Sequence, residues 1–129
     1  MTAPAVRIVA ALTAAVIPFV AIATARADGN PARGEQLYAD CIACHPVERD
    51  LHGIGTSLAG IIGRKAGAIA GYRYSGALRR SGLTWTPEAL DTFIADPQAS
   101  VPANRMPYAG MPNAADRADL VAYLQKISK

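Results

Sequence analysis

The sequence predicts an all-α domain, with three main helices joined by loops and short helical turns. Three segments repeat apolar residues at intervals of three and four, the spacing that gives a helix one apolar face. Each segment follows a side chain that can accept hydrogen bonds from the first backbone N–H groups of a helix, namely Asn30, Thr86 and Asn113. These caps predict where the helices begin.

The first predicted helix begins near Pro31, because proline is common at the first helical position. Gly34, Leu37, Tyr38 and Cys41 follow at i, i+3, i+4 and i+7, so they share one face. A glycine in that face would allow a second helix to cross closely.

The other two predicted helices have equally clear limits. The second begins at Pro87, carries an apolar stripe and ends at Pro97, because proline cannot continue a helix. The third runs from about Ala114 to Ile127, and its apolar residues again recur at i, i+3, i+4 and i+7.

Two stretches between the helices are predicted to be loops. Residues 53–82 contain eight glycines and only weak periodicity, which favours loop with short helical turns at 57–63 and 75–80. Residues 97–113 contain four prolines and are predicted to be extended.

The N-terminus predicts a secretory signal peptide over residues 1–27, followed by a single domain over residues 28–129. Arg7 precedes the uncharged apolar run Ile8–Thr24, and Ala25-Arg26-Ala27 has the form of a cleavage site. An uncleaved membrane anchor is the alternative, although Pro18 interrupts the run. Export to the periplasm is therefore expected.

The charges give little support for nucleic-acid binding. The whole chain has a formal net charge of +3, but two of its arginines lie in the predicted signal peptide. The remaining charges are nearly balanced, although no acidic residue occurs between Leu51 and Pro87. That stretch contains five basic residues, which could orient a partner: Arg64, Lys65, Arg73, Arg79 and Arg80.

The motif Cys41-Ile42-Ala43-Cys44-His45 indicates covalent attachment of one c-type haem. Two thiols on one helical turn can add to the two vinyl groups of a haem, and the adjacent histidine can bind its iron. A redox Cys-x-x-Cys would favour a βαβ context, and no strand pattern surrounds this one. A zinc site needs about four ligands, whereas the chain has only two cysteines and two histidines.

The second iron ligand has three candidates in the residues alone. Met106 and Met111 both lie in the proline-rich loop, and each is followed by proline. His52 is the third, but it lies only seven residues from His45 and would struggle to reach the opposite face of a haem. A hydrogen-bonded structural role is more common for such a histidine.

The chain resembles the class I c-type cytochromes, close to the mitochondrial cytochrome c and bacterial cytochrome c2 type. The resemblance runs from about Arg33 to Ile127. Beside the Cys-x-x-Cys-His motif it rests on Gly-Arg-Lys-Ala-Gly at 63–67, Gly-Tyr-Arg-Tyr-Ser at 71–75 and Val-Pro-Ala-Asn-Arg-Met-Pro-Tyr-Ala-Gly at 101–110. It implies the cytochrome c fold, in which helices and loops wrap around one covalent haem.

The same resemblance implies roles for individual residues. Cys41 and Cys44 would hold the haem, while His45 and Met106 would ligate its iron. Met111 takes a position that is usually aliphatic in the family. Residues that would lie near the haem propionates are Arg64, Tyr74 and Trp85.

Departures from the family pattern bear on the pocket. Thr56 replaces the proline whose carbonyl commonly accepts the second ring proton of the axial histidine, but the Thr56 carbonyl could serve equally. Phe93 and Leu78 replace polar residues and imply a drier pocket. The lysines that often ring the haem edge are reduced in number, so partner identity does not follow from the resemblance.

We therefore expect a periplasmic one-electron carrier with one covalent haem c, acting on redox proteins as a monomer and not as an enzyme. Its partners would be membrane or periplasmic respiratory enzymes, with no role for nucleic acid. Two alternatives remain at this stage: a haem subunit dedicated to one dehydrogenase or oxidase, and a gas- or peroxide-handling haem protein with a displaceable methionine.

Overall fold

A computed structural model describes residues 28–129 and confirms the all-α prediction. In this part of the chain, extended pairing is limited to one antiparallel bridge between Lys65 and Thr84. The predicted signal peptide, residues 1–27, lies outside the described residues. The helices are α1 Pro31–Leu37, which continues as a 3₁₀ turn Tyr38–Asp40, α2 Gly76–Arg80, α3 Pro87–Ala95, α4 Pro97–Ser100 and α5 Ala114–Lys126.

The three predicted N-caps are confirmed. The Asn30 side chain accepts from two backbone N–H groups of α1, Thr86 accepts from one in α3, and Asn113 accepts from two in α5. Each cap satisfies N–H groups that have no partner within the helix and stabilises the domain by about 1 kcal/mol. The predicted end of α5 at Ile127 is one residue beyond the observed end at Lys126.

Helices α1 and α5 cross at the glycine that the sequence analysis singled out. A Cβ atom on Gly34 would lie 2.0 Å from the carbonyl oxygen of Asp119, so no other residue fits without moving the helices. Next to the crossing, the buried Asp119 carboxylate accepts from the backbone N–H of Asn30 at 2.6 Å and from the Arg33 guanidinium at 2.8 Å. These contacts fix the direction in which α1 leads into the Cys-x-x-Cys-His motif.

Two predicted loop features differ from the structure. The helical turn expected at 57–63 is absent, because Gly60 and Gly63 have φ values of +66° and +81° that end each turn. The proline-rich loop begins with the short helix α4 instead of extended chain, since the Asp96 side chain accepts from the N–H groups of Gln98 and Ala99. The turn expected at 75–80 is confirmed as α2.

A single hydrophobic core lies between α1, α3 and α5, and the loops close over it. Leu120 and Leu124 are its most deeply buried large side chains. Among helices of the described range, none has the length and apolar character that a membrane crossing requires. The buried members of the core are Tyr38, Ile61, Trp85, Leu90, Phe93, Ile94, Val101, Met111, Leu120, Val121, Tyr123 and Leu124.

Candidate haem-binding site

The attachment segment, residues 41–56, starts where α1 ends. The backbone N–H of Cys41 donates to the Tyr38 carbonyl at 2.8 Å, and the N–H groups of Cys44 and His45 donate to the Cys41 carbonyl at 3.1 and 2.9 Å. These bonds wind the motif into one turn. Both cysteines and the histidine are thereby held on the same short piece of chain, as the sequence predicts.

The two cysteines are free and half-buried. Burial is the main cause that raises the pKa of the Cys41 thiol to about 11, with smaller contributions from Asp40 and Cys44. The Cys41 sulfur therefore carries its proton at neutral pH.

The ring of His45 is oriented by a backbone carbonyl. Its Nδ1 lies 2.7 Å from the carbonyl oxygen of Thr56. Because a carbonyl only accepts, Nδ1 carries the ring proton and Nε2 keeps its lone pair. Burial lowers the pKa of His45, and the nearby Arg64 charge acts in the same direction, whereas the bond to Thr56 raises the pKa. The expectation that Thr56 can replace the family's proline as acceptor is confirmed.

Gly55 provides the space that this orientation needs. A Cβ atom there would lie 2.3 Å from Cε1 and 2.5 Å from Nδ1 of the His45 ring. The backbone N–H of Gly55 donates to the Cys44 carbonyl at 2.8 Å, and the Tyr38 hydroxyl donates to the His45 carbonyl. The histidine is thus held at its ring and at its backbone.

The two loop methionines have different surroundings. Met106 is half-buried and packs against the edge of the core. Met111 is a core residue, 8% exposed, whose N–H donates to the Ile94 carbonyl at 2.8 Å. Its own carbonyl accepts from the Arg117 guanidinium at 2.9 Å.

His52 has the structural role that the sequence analysis favoured. Its Nδ1 accepts from the Ser57 N–H at 3.2 Å, and its ring contacts Tyr72 edge-on with centroids 6.0 Å apart. These contacts hold the turn that presents the Thr56 carbonyl to His45. His52 is therefore a hydrogen-bonded residue of this turn.

The residues expected near the propionates are half-buried or buried. The half-buried Arg64 guanidinium donates to the Ser57 carbonyl at 2.8 Å. Tyr74 packs on Tyr72 with ring centroids 4.8 Å apart. Trp85 is buried against Phe93, with centroids 5.0 Å apart.

The donors present fit a covalent haem. Two free thiols lie one turn apart, next to an imidazole whose Nδ1 is already paired with the Thr56 carbonyl.

The sequence analysis gives no role to Asn104, which lies in the same loop as Met106. Its side chain donates two hydrogen bonds and accepts one. The spacing Asn-x-Met was the available signal, because asparagine commonly bonds the N–H two residues ahead.

Comparisons with known proteins agree with this site. The family Cytochrome c matches residues 31–128. Cytochrome c2 iso-2 of Magnetospirillum fulvum is 46% identical over 101 residues, which span 78% of this chain and 100% of the relative. Cytochrome c2 of Rhodomicrobium vannielii is 41% identical over 103 residues, spanning 79% of this chain and 82% of the relative.

The fold agrees with a solved structure as well. Cytochrome cH from Methylobacterium extorquens superposes with a TM-score of 0.71 and 39% sequence identity, covering 76% of this chain and 99% of that one. The chain therefore belongs to the cytochrome c family, as a class I protein of the c2 type that carries covalent haem c and transfers electrons without being an enzyme.

Proposed function

We propose that this protein is a periplasmic one-electron carrier in which Cys41 and Cys44 attach the haem while His45 and Met106 ligate its iron. The observation that carries the proposal is the His45 ring, whose Nδ1 is paired with Thr56 and whose Nε2 keeps its lone pair. A carbonyl acceptor behind an axial histidine fixes the ring and raises its basicity. When bound, haem iron supplies the change between the ferrous and ferric states.

Burial supports Met106 over Met111 as the second ligand. Met111 fills the core and both of its backbone polar groups are bonded to α3 and α5. Turning its thioether outward would leave a cavity, at a cost of about 2–5 kcal/mol. Met106 is half-buried at the edge of the core, where its side chain can contact a cofactor without emptying the interior.

The surroundings of these ligands favour reversible electron transfer over ligand binding. A thioether ligand raises the potential relative to a second histidine. The apolar side chains of Phe93 and Leu78 disfavour the extra charge of ferric haem, and they exclude water. With His45 and Met106 both bound to it, the iron would have no open position for a gas or a peroxide.

Two variants test the ligand assignment in the ferric holoprotein. We expect Met106→Ala to abolish the weak absorption band of the iron–methionine bond and to let carbon monoxide bind the ferrous form. Met111→Ala should keep the band, although it lowers stability. Loss of the band in the Met111 variant alone would reverse the assignment. Ready binding of carbon monoxide by the unmodified protein would favour a ligand-binding function.

The proposed periplasmic location rests on the pattern of residues 1–27. We expect the protein in the periplasmic fraction with Asp28 as its first residue, which N-terminal sequencing of the holoprotein would show. Recovery from the membrane fraction with residues 1–27 attached would identify an anchored carrier instead.

The proposed partners are redox proteins. The protein would bind them as a monomer, through the exposed surface around the haem-binding site. Lys65, Arg73, Arg79 and Arg80 are exposed and lie in the stretch without acidic residues. Arg64 is not a free charge of this group, because its guanidinium is bonded to backbone carbonyls. The remaining four cations can attract an acidic partner or a negatively charged acceptor.

A further inference from the structure

Asn104 is a buried polar residue, 8% exposed, two positions before Met106. Its side-chain Nδ2 donates to the carbonyl of Pro97 at 2.7 Å and to the carbonyl of Val101 at 2.9 Å. Its Oδ1 accepts from the backbone N–H of Met106 at 2.9 Å. One carboxamide therefore joins the two ends of α4 to the backbone of the proposed ligand.

The two carbonyls that accept from the Asn104 side chain also accept from backbone N–H groups. The Pro97 carbonyl already accepts from the Val101 N–H at 3.0 Å, and the Val101 carbonyl accepts from the Asn104 N–H at 3.1 Å. Helix α4 would therefore keep its backbone bonds without the side chain. What would be lost is the anchored acceptor for the Met106 N–H.

A methionine side chain can be positioned only through its backbone and its packing, because its sulfur is a weak acceptor and it has no donor. The chain before Met106 is held in an uncommon conformation as well, with Ala103 at φ +65°. Such a conformation persists only where surrounding contacts enforce it. The Gln98 side chain provides one such contact, because its Nε2 donates a hydrogen bond to the Asn104 carbonyl at 3.2 Å.

We propose that Asn104 is the positioning residue for Met106, and that its carboxamide sets how fast external ligands replace the methionine on the iron. The proposal rests on the proposed ligation by Met106 and goes beyond it, because it assigns the rate of methionine release to another side chain. Without the bond to Asn104, the Met106 backbone would move freely enough for its sulfur to leave the iron more often.

The experiment compares ferric holoproteins mixed with imidazole in a stopped-flow instrument. Loss of the iron–methionine band gives a rate that levels off at high imidazole, where release of the methionine limits the exchange. We expect Asn104→Ala to raise this limiting rate roughly tenfold, as expected for one buried hydrogen bond. Asn104→Ser keeps an oxygen that can accept from Met106 and should give an intermediate rate.

Asn113→Ala is the matched control. Asn113 Oδ1 accepts from the N–H of Ala115 at 2.9 Å, the same two-residue spacing, but it caps α5 and lies after Met111 in the chain. This variant should lose stability in urea and leave the limiting rate unchanged. An equal acceleration by Asn113→Ala would show that general destabilisation causes the effect and would overturn the inference.

The outcomes distinguish failure of this inference from failure of the proposed ligation by Met106. If the unmodified protein shows the iron–methionine band and both Asn104 variants exchange at its rate, the inference is wrong and the proposed ligation stands. If the unmodified protein lacks the band, the proposed ligation fails and the inference fails with it. Should Asn104→Ala not fold, the Asn104→Ser rate decides alone.

Discussion

The two segments that supply the proposed iron ligands are held in different ways. In the attachment segment, residues 41–56, the ligand's own side chain is fixed, because the His45 ring bonds to the Thr56 carbonyl. In the methionine loop, residues 97–111, hydrogen bonding fixes the backbone, through the bond between Asn104 and the Met106 N–H, and the side chain is held by packing alone. An imidazole offers a second polar atom that can be oriented, and a thioether does not.

This difference predicts which of the two proposed ligands leaves the iron more easily. The histidine would directly follow two covalent attachments, and its ring has the Thr56 carbonyl behind it, so it should stay bound when the protein is stressed. The methionine depends on a loop whose hold on it is a few hydrogen bonds, each with a net contribution of about 1 kcal/mol. Ligand exchange should therefore occur on the methionine side.

The largest effect is expected from removing the covalent attachment. In the Cys41→Ala/Cys44→Ala double variant, acidified acetone should extract the haem, and mass spectrometry should show a polypeptide without the haem adduct. Ile42→Ala is the control, because Ile42 lies between the cysteines and is 53% exposed. That variant should retain its haem. Haem that stays on the double variant would show attachment elsewhere.

The orientation of His45 can be tested by one added methyl group. Gly55→Ala places a Cβ about 2.3 Å from the ring, so the ring must move and its bond to Thr56 weakens. A less basic imidazole stabilises ferric iron less, so the reduction potential should rise. Gly53→Ala is the control, since its Cβ would meet nothing closer than 3.4 Å. Equal potentials in the two variants would refute the role of this contact.

The helix crossing should affect stability and leave the iron site intact. Gly34→Ala forces a Cβ against the Asp119 carbonyl, and we expect the free energy of unfolding in urea to fall by about 2–3 kcal/mol. Glu35→Ala, in the exposed pair with Lys126, should change it by less than about 1 kcal/mol. Loss of the iron–methionine band in Gly34→Ala would show that the crossing and the methionine loop are coupled.

The smallest predicted effect concerns the exposed charges. Oxidation of the ferrous protein by hexacyanoferrate, an anion, should slow by a few-fold as salt rises to about 0.3 M, because salt screens exposed charges beyond about 10 Å. The Arg79→Gln/Arg80→Gln variant should show a weaker dependence, since both side chains are exposed at the end of α2. If the oxidation rates of both proteins are independent of salt concentration, the exposed cations do not steer the anion to the haem.

Local chemistry explains which parts of the fold were predictable. Capping at Asn30, Thr86 and Asn113 depends on the few residues that follow each cap, so the helix starts were correct. Helix α4 differs from the prediction, because Pro97 ends α3 and also begins a new helix that the Asp96 side chain caps. The expected helical turn at 57–63 is wrong, since the presence of glycines does not reveal that Gly60 and Gly63 have positive φ values.

The site was predictable to a similar degree. The motif predicted the attachment segment, and the family resemblance suggested the acceptor that Thr56 supplies. The bonds of Asn104 to Pro97 and Val101 depend on how the loop folds over α4, and no periodic pattern marks them. The sequence therefore predicts residues that would touch the iron, whereas the contacts of Asn104 with Met106 and α4 are seen only in the fold.

A redox titration of the exported holoprotein, followed by its visible spectrum, tests the central claim most directly. We predict one haem that titrates as a single one-electron couple at a positive potential, with the iron–methionine band present when ferric and absent from Met106→Ala. A negative potential with no such band would contradict ligation by His45 and Met106, and with it the assignment of this protein as an electron carrier of this kind.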